Sequence, residues 1–201
     1  MVASIDGIGP VLAISCKGMT GATRNLVNRL EETIGECTNL HITYPALVFG
    51  YLFVIRANQV LADRTVTGKT TPGRAIARND VVLDEEGEPV EPVERFHSAL
   101  CSLSGRQGIR DELSKYEAVA LALVSMEQES IGDLYEAYPP EESPVRLEDF
   151  FATLYRRYDE RFVVGAPRLK HRTRRLEWSP ESPLLRDGNL ADLDYEVRLS
   201  P

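Results

Sequence analysis

AISCKGMTGATRNLVNRLEE, residues 13–32, changes its hydrophobic period partway along. Its first residues continue Val11-Leu12 as a nearly unbroken apolar run, VLAISC, preceded by Gly9-Pro10. A short run of that kind fits a strand covered on both faces. After Lys17 the spacing becomes helical, with Thr20 or Thr23 as the cap and Gly35 as the stop of a helix that runs to about Ile34. Leu26, Val27, Leu30, Thr33 and Ile34 share one side of that helix, while Arg24, Asn28 and Glu31 recur at i, i+4 and i+7 as a polar face free to line a cleft. ALVFGYLFVI, residues 46–55, follows as a second strand. The order strand, helix, strand predicts a parallel pair and hence an α/β fold with a central mixed sheet flanked by helices.

Further along, residues 63–92 are rich in Gly, Pro, Asp and Glu, and DEEGEPVEP at 84–92 predicts an exposed acidic loop or hairpin inserted in the domain. Helical spacing returns at 93–103 and at 109–115. YEAVALALVSM, residues 116–126, suits a buried strand, although Ala and Leu suit a helix equally. Pro139-Pro140 breaks the chain, and 146–162 forms an amphipathic helix with Leu147, Phe150, Phe151 and Leu154 toward the core. Residues 1–165 therefore make the α/β core, and 166–201 an irregular arm, basic and then acidic.

The 201 residues, 43% of them hydrophobic, are enough to bury a core. A net charge of -8 excludes a uniformly basic nucleic-acid coat but not a local basic cleft. Cys16, Cys37 and Cys101 are odd in number and share no C-x-x-C spacing, so the sequence indicates neither a disulfide framework nor a zinc knuckle and fits a reducing cytoplasm. No basic leader opens the chain, and the longest apolar run is too short to span a bilayer.

Taken singly, Lys17 is a solvated strand terminus and Glu31 a surface helix residue. Taken together, an ammonium at a sheet rim and a carboxylate on the next helix are the parts that hold a divalent metal and a water beside a phosphodiester. Ser15-Cys16-Lys17, followed fourteen residues later by Glu31, resembles the displaced-carboxylate variant of the PD-(D/E)XK nucleases, the S-x-K-x13-E pattern of the NgoMIV-like type II restriction endonucleases. Arg24, seven after the lysine, and Arg29, two before the glutamate, belong to the match, which covers residues 11–55.

The resemblance implies a restriction-endonuclease-like fold and Mg²⁺-dependent hydrolysis of double-stranded DNA at specific sites, by a cytoplasmic homodimer or tetramer. It assigns Lys17 to the attacking water, Glu31 to the metal, and Ser15 to the vacated acidic position. Asp6 and the Cys16 carbonyl become further metal ligands, and Arg24, Asn28 and Arg29 become DNA contacts, with Arg24 placed to grip guanine. Little chain stands ahead of the lysine strand for the strands that normally precede it, and if Asp6 is not the metal ligand the resemblance implies a truncated or degenerate nuclease. The alternative function is a catalytically inactive or truncated nuclease-fold module that binds DNA.

TGKTT at 67–71 lacks the first glycine of a phosphate loop, Asp63 standing in its place, so it is not an NTPase motif. Lys69 lies on a connector that could face DNA. Arg168, Lys170, Arg172, Arg174 and Arg175 crowd into eight residues and suit phosphate tracking or a solvated arm. His41, His97 and His171 are scattered without metal-ligand spacing and are expected to be structural or exposed.

Overall fold

The structure, a computed structural model, describes residues 1–5, 8–19, 26–59, 81–125 and 130–165. Strand β1 (Val2–Ile5) and β2 (Gly9–Met19) precede helix α1 (Leu26–Thr43) and strand β3 (Val48–Arg56). Helix α2 (Glu91–Leu103), strand β4 (Ala118–Val124) and helix α3 (Phe150–Tyr158) follow, and α3 runs directly into a π-helical segment, Asp159–Val164. The strands form one mixed sheet in the order β1-β2-β3-β4, with β1 antiparallel to β2 and the other pairs parallel.

Strand β3 sits inside the sheet between two parallel neighbours and is covered on both faces, which is why its sequence is almost wholly apolar. Phe49, Tyr51, Phe53 and Ile55 belong to the cluster that holds Leu26 and Cys37 of α1 and Val93, Phe96 and Leu100 of α2. Val48, on the other face, packs with Phe150 and Leu154 of α3. The contact is so close at Gly50 that a Cβ there would lie 2.7 Å from Leu154 Cδ1 and 2.8 Å from Phe150 Cζ. The result is an α/β sandwich of three layers, with α1 and α2 on one side and α3 on the other.

The structure corrects several expectations. Strand β2 continues to Met19, paired with Ile55, so Lys17 lies within the strand opposite Phe53 and not at its end. Helix α1 does not stop at Gly35. It runs on to Thr43 because Cys37 and His41 continue the buried stripe, and their burial outweighs the roughly 1 kcal/mol that a mid-helix glycine costs. The stripe is also rotated from the expected one: Leu26, Thr33, Cys37 and His41 are buried, whereas Val27 and Ile34 face solvent.

Residues 109–115 form turns, not a helix, where the Asp111 carboxylate accepts the Gln107 and Gly108 backbone N–H groups. The 116–126 stretch resolves to strand, and α3 begins at Phe150. The short strand β1, of which only the last residue is buried, pairs antiparallel with β2. The acidic 84–88 segment is a turn closed by Asp84 Oδ1, which accepts from the Glu86 and Glu88 backbone N–H groups, with Gly87 at φ +87°. Among the described residues no helix is long and apolar enough to cross a membrane.

Candidate functional site

Because side chains alternate along a strand, Ser15 and Lys17 project from the same face of β2, the face that α1 covers. From α1, Glu32 and Glu36 stand four residues apart and so share one helix face. The two pairs meet. The Ser15 hydroxyl lies 3.2 Å and 3.1 Å from the two Glu36 carboxylate oxygens. Lys17 Nζ lies 3.5 Å from Glu32 Oε1 and 3.9 Å from Glu36 Oε2, with all three side chains about one-third to one-half exposed.

Both lysine contacts are longer than a tight ion pair, and all three charged groups keep contact with solvent. Arg29 pairs with the far side of Glu32. Its hydrogen bond first, with the Arg29 and Lys17 charges, holds the Glu32 carboxyl below its usual value against a smaller upward push from desolvation.

Under this cluster lies Tyr51, the β3 partner of Ser15 in the sheet register. Its ring is fully buried and its hydroxyl has no hydrogen-bond partner among the described residues. The neighbouring Thr33 hydroxyl is committed to the Arg29 carbonyl at 2.6 Å. Burial, together with the nearby Glu36 and Glu32 charges, pushes the Tyr51 phenol up to about 12, so it stays protonated and able to donate.

The expected site is therefore assembled only in part. Ser15 and Lys17 come together, but the carboxylates that reach them are Glu32 and Glu36. Glu31, one position earlier, points about 100° round the helix and is exposed, with no ion pair to Lys17. Asn28 is exposed on the same outer side, and Arg29 is turned to Glu32. Cys16 alternates to the opposite face of β2 and is a free, exposed thiol.

Asp6, Arg24, Lys69, Arg168, Lys170, Arg172, Arg174 and Arg175 fall outside the described residues. The described residues Ile5 and Ile8 are joined by an N–H to carbonyl bond of 3.0 Å, and Ile5 pairs with Gly9, eight residues before Lys17. Ile5 and Gly9 thus lie toward the end of β2 away from Lys17. Glu36 was not singled out from the sequence. Its signal was available: Glu32 and Glu36 repeat at i, i+4 on the side next to Thr33 and Cys37, which the longer helix buries.

A second polar cluster lies four residue rows away, at the N-terminal ends of β3 and β4. Glu117, fully buried, accepts the Phe49 backbone N–H at 2.7 Å, Arg106 Nη1 at 2.7 Å and Arg161 Nη2 at 2.6 Å. His41 Nε2 stands 3.5 Å from it, while His41 Nδ1 donates to the Leu113 carbonyl at 3.0 Å. The two guanidinium groups also bind the carbonyls of Pro45 and Leu47 in the connection from α1 to β3. Burial pushes the Glu117 carboxyl up, but the nearby His41, the Arg161 charge, the Phe49 N–H and Arg106 outweigh it and hold the group below its usual range. This cluster ties α1, the 104–117 segment, β4 and the π-helical segment into one scaffold.

Among the described residues no three His, Cys, Asp or Glu side chains converge as a metal cage. Comparison with protein-family models, curated proteins and solved structures returns no match.

Proposed function

We propose that the chain is a Mg²⁺-dependent DNA endonuclease of the restriction-endonuclease-like type, with Ser15, Lys17, Glu32 and Glu36 as the centre of its active site. The observation that carries this reading is the approach of two helix carboxylates to a partly exposed strand lysine, on the sheet face where the sequence resembles a nuclease motif. The donor set suits the metal. Mg²⁺ prefers hard oxygens, keeps much of its water, and is commonly held by one or two carboxylates with phosphate oxygens of the substrate completing the shell. Glu32 and Glu36 supply the carboxylates and Ser15 an adjoining hydroxyl.

When bound, Mg²⁺ supplies charge stabilisation at phosphorus and a more acidic water. The protein's own groups do the rest. Lys17 places a positive charge where a hydroxide and a pentacovalent phosphorus develop negative charge, and the Coulombic gain is largest once DNA has displaced bulk water. Arg29 fixes Glu32, so the carboxylate loses little freedom on meeting a cation. Ser15 orients Glu36 in the same way. Arg24 and the cluster from Arg168 to Arg175 are the proposed DNA contacts, and a two-fold DNA site fits a homodimer or tetramer.

A second reading, a nuclease-like scaffold that binds DNA without cutting it, is favoured by the gathering of two acidic side chains, not three, at Lys17 among the described residues. Cleavage of supercoiled plasmid with and without Mg²⁺, by wild type and Lys17→Ala at matched folding, separates the two. Metal-dependent nicking lost in Lys17→Ala supports the nuclease. Salt-sensitive DNA binding with no cleavage by either protein supports the scaffold, and cleavage unchanged in the variant removes Lys17 from the chemistry.

A further inference from the structure

On α2, His97 and Cys101 are four residues apart, so they lie one above the other on a single helix face. That face meets the segment leading into α3 at Ser143. His97 Nε2 is 3.5 Å from Cys101 Sγ and 2.7 Å from Ser143 Oγ, and the sulfur is 4.0 Å from the hydroxyl. All three residues are partly accessible, and the Tyr138 ring covers one side of the imidazole at 5.3 Å between centroids. An imidazole nitrogen and a thiolate on one tetrahedral zinc ion stand about 3.5 Å apart, given ligand distances of about 2.0 and 2.3 Å. The pair therefore already holds the separation that such an ion requires.

Helix α1 provides an internal contrast. Cys37 and His41 have the same spacing, with Sγ 3.5 Å from Nδ1. Both are fully buried, and that nitrogen is committed as a donor to the Leu113 carbonyl. No lone pair is offered there and no path leads in. His97 and Cys101 differ in both respects, since His97 Nε2 engages only side-chain groups and the site is partly open.

We propose that His97 and Cys101 bind a thiophilic divalent cation of the zinc class, with Ser143 beside it and water in the remaining positions. Cys101 binds as the thiolate and releases its proton to solvent, and the imidazole binds through Nε2. With two strong protein ligands the site is exchangeable and not a structural zinc knot. Its soft sulfur separates it from the hard-oxygen group at Lys17. Binding takes the position on Nε2 now engaged by Ser143, so the ion trades a link between α2 and the approach to α3 for a metal bond.

The test is titration of the full-length reduced protein with Co²⁺ and then Zn²⁺. The expected result is a thiolate-to-cobalt charge-transfer band that saturates at one equivalent and is bleached by Zn²⁺. Cys101→Ser should abolish the band and His97→Gln should weaken cobalt binding by roughly tenfold or more, while Cys16→Ser and Cys37→Ser leave both unchanged. A readout free of any variant is alkylation of the wild type with iodoacetamide, where Zn²⁺ should slow modification of Cys101 but not of the exposed Cys16. A band that survives Cys101→Ser, no band at all, or equal alkylation of Cys101 with and without Zn²⁺ would overturn the site.

Discussion

A carboxylate with no exposed surface, such as Glu117, is tolerated only if charge and hydrogen bonds replace the water it has lost. Arg106, Arg161, His41 and the Phe49 N–H provide that replacement. Glu117→Gln keeps the shape and strands the two guanidinium groups, so we expect a loss of about 3–5 kcal/mol, read from the urea midpoint at neutral pH. The pH dependence has a definite sign. The folded carboxyl titrates below its ordinary 4.5, so its stabilisation is complete above that value and is lost as pH falls through the lower folded value. The gap between wild type and Glu117→Gln should therefore narrow on acidification below pH 4.5 and stay constant above it; a constant gap at all pH would show that Glu117 is not ionised in the fold. None of this was visible in YEAVALALV, where Glu117 is one charge at the head of an apolar run, because its partners come from positions 41, 106 and 161.

At the scale of elements, helix α1 decides which carboxylates the site receives. Gly35 lies inside it, exposed, with nothing within 4 Å of the point where an added Cβ would lie. Gly35→Ala should raise stability by about 0.5–1 kcal/mol, measured by thermal or urea unfolding. Gly50→Ala should do the reverse. Its Cβ would collide with the buried Leu154 and Phe150 side chains, which must move from their packed positions, at a cost of roughly 1–3 kcal/mol in the same assay. Strand-helix-strand order and the parallel β2–β3 pair were legible from residues 11–55, because period and length speak for themselves. The end of α1 was not: Gly35 is a common C-terminal signal, and only tertiary burial of Cys37 and His41 shows that the helix continues. That extension places Glu36 opposite Ser15.

For the molecule as a whole, the sheet brings chemistry to one face. Ser15 and Lys17 are carried on a strand whose pairing with β1 ends where Met1 bonds Ile14, and α1 crosses above them. In a chain of net charge -8, Lys17 and Arg29 are held among glutamates, each paired with Glu32. The fold class was legible in the sequence because alternating periods require a layered α/β arrangement. The identity of the site carboxylate was not, because a one-residue change on a helix turns a side chain by about 100° and spacing alone cannot decide the face. That choice is open to direct measurement. Initial rates of Mg²⁺-dependent plasmid nicking should be compared for Glu31→Gln, Glu32→Gln and Glu36→Gln. We predict near wild-type rates for Glu31→Gln and losses of about a hundredfold or more for the other two; loss confined to Glu31→Gln, or rates unchanged in all three, would contradict the site.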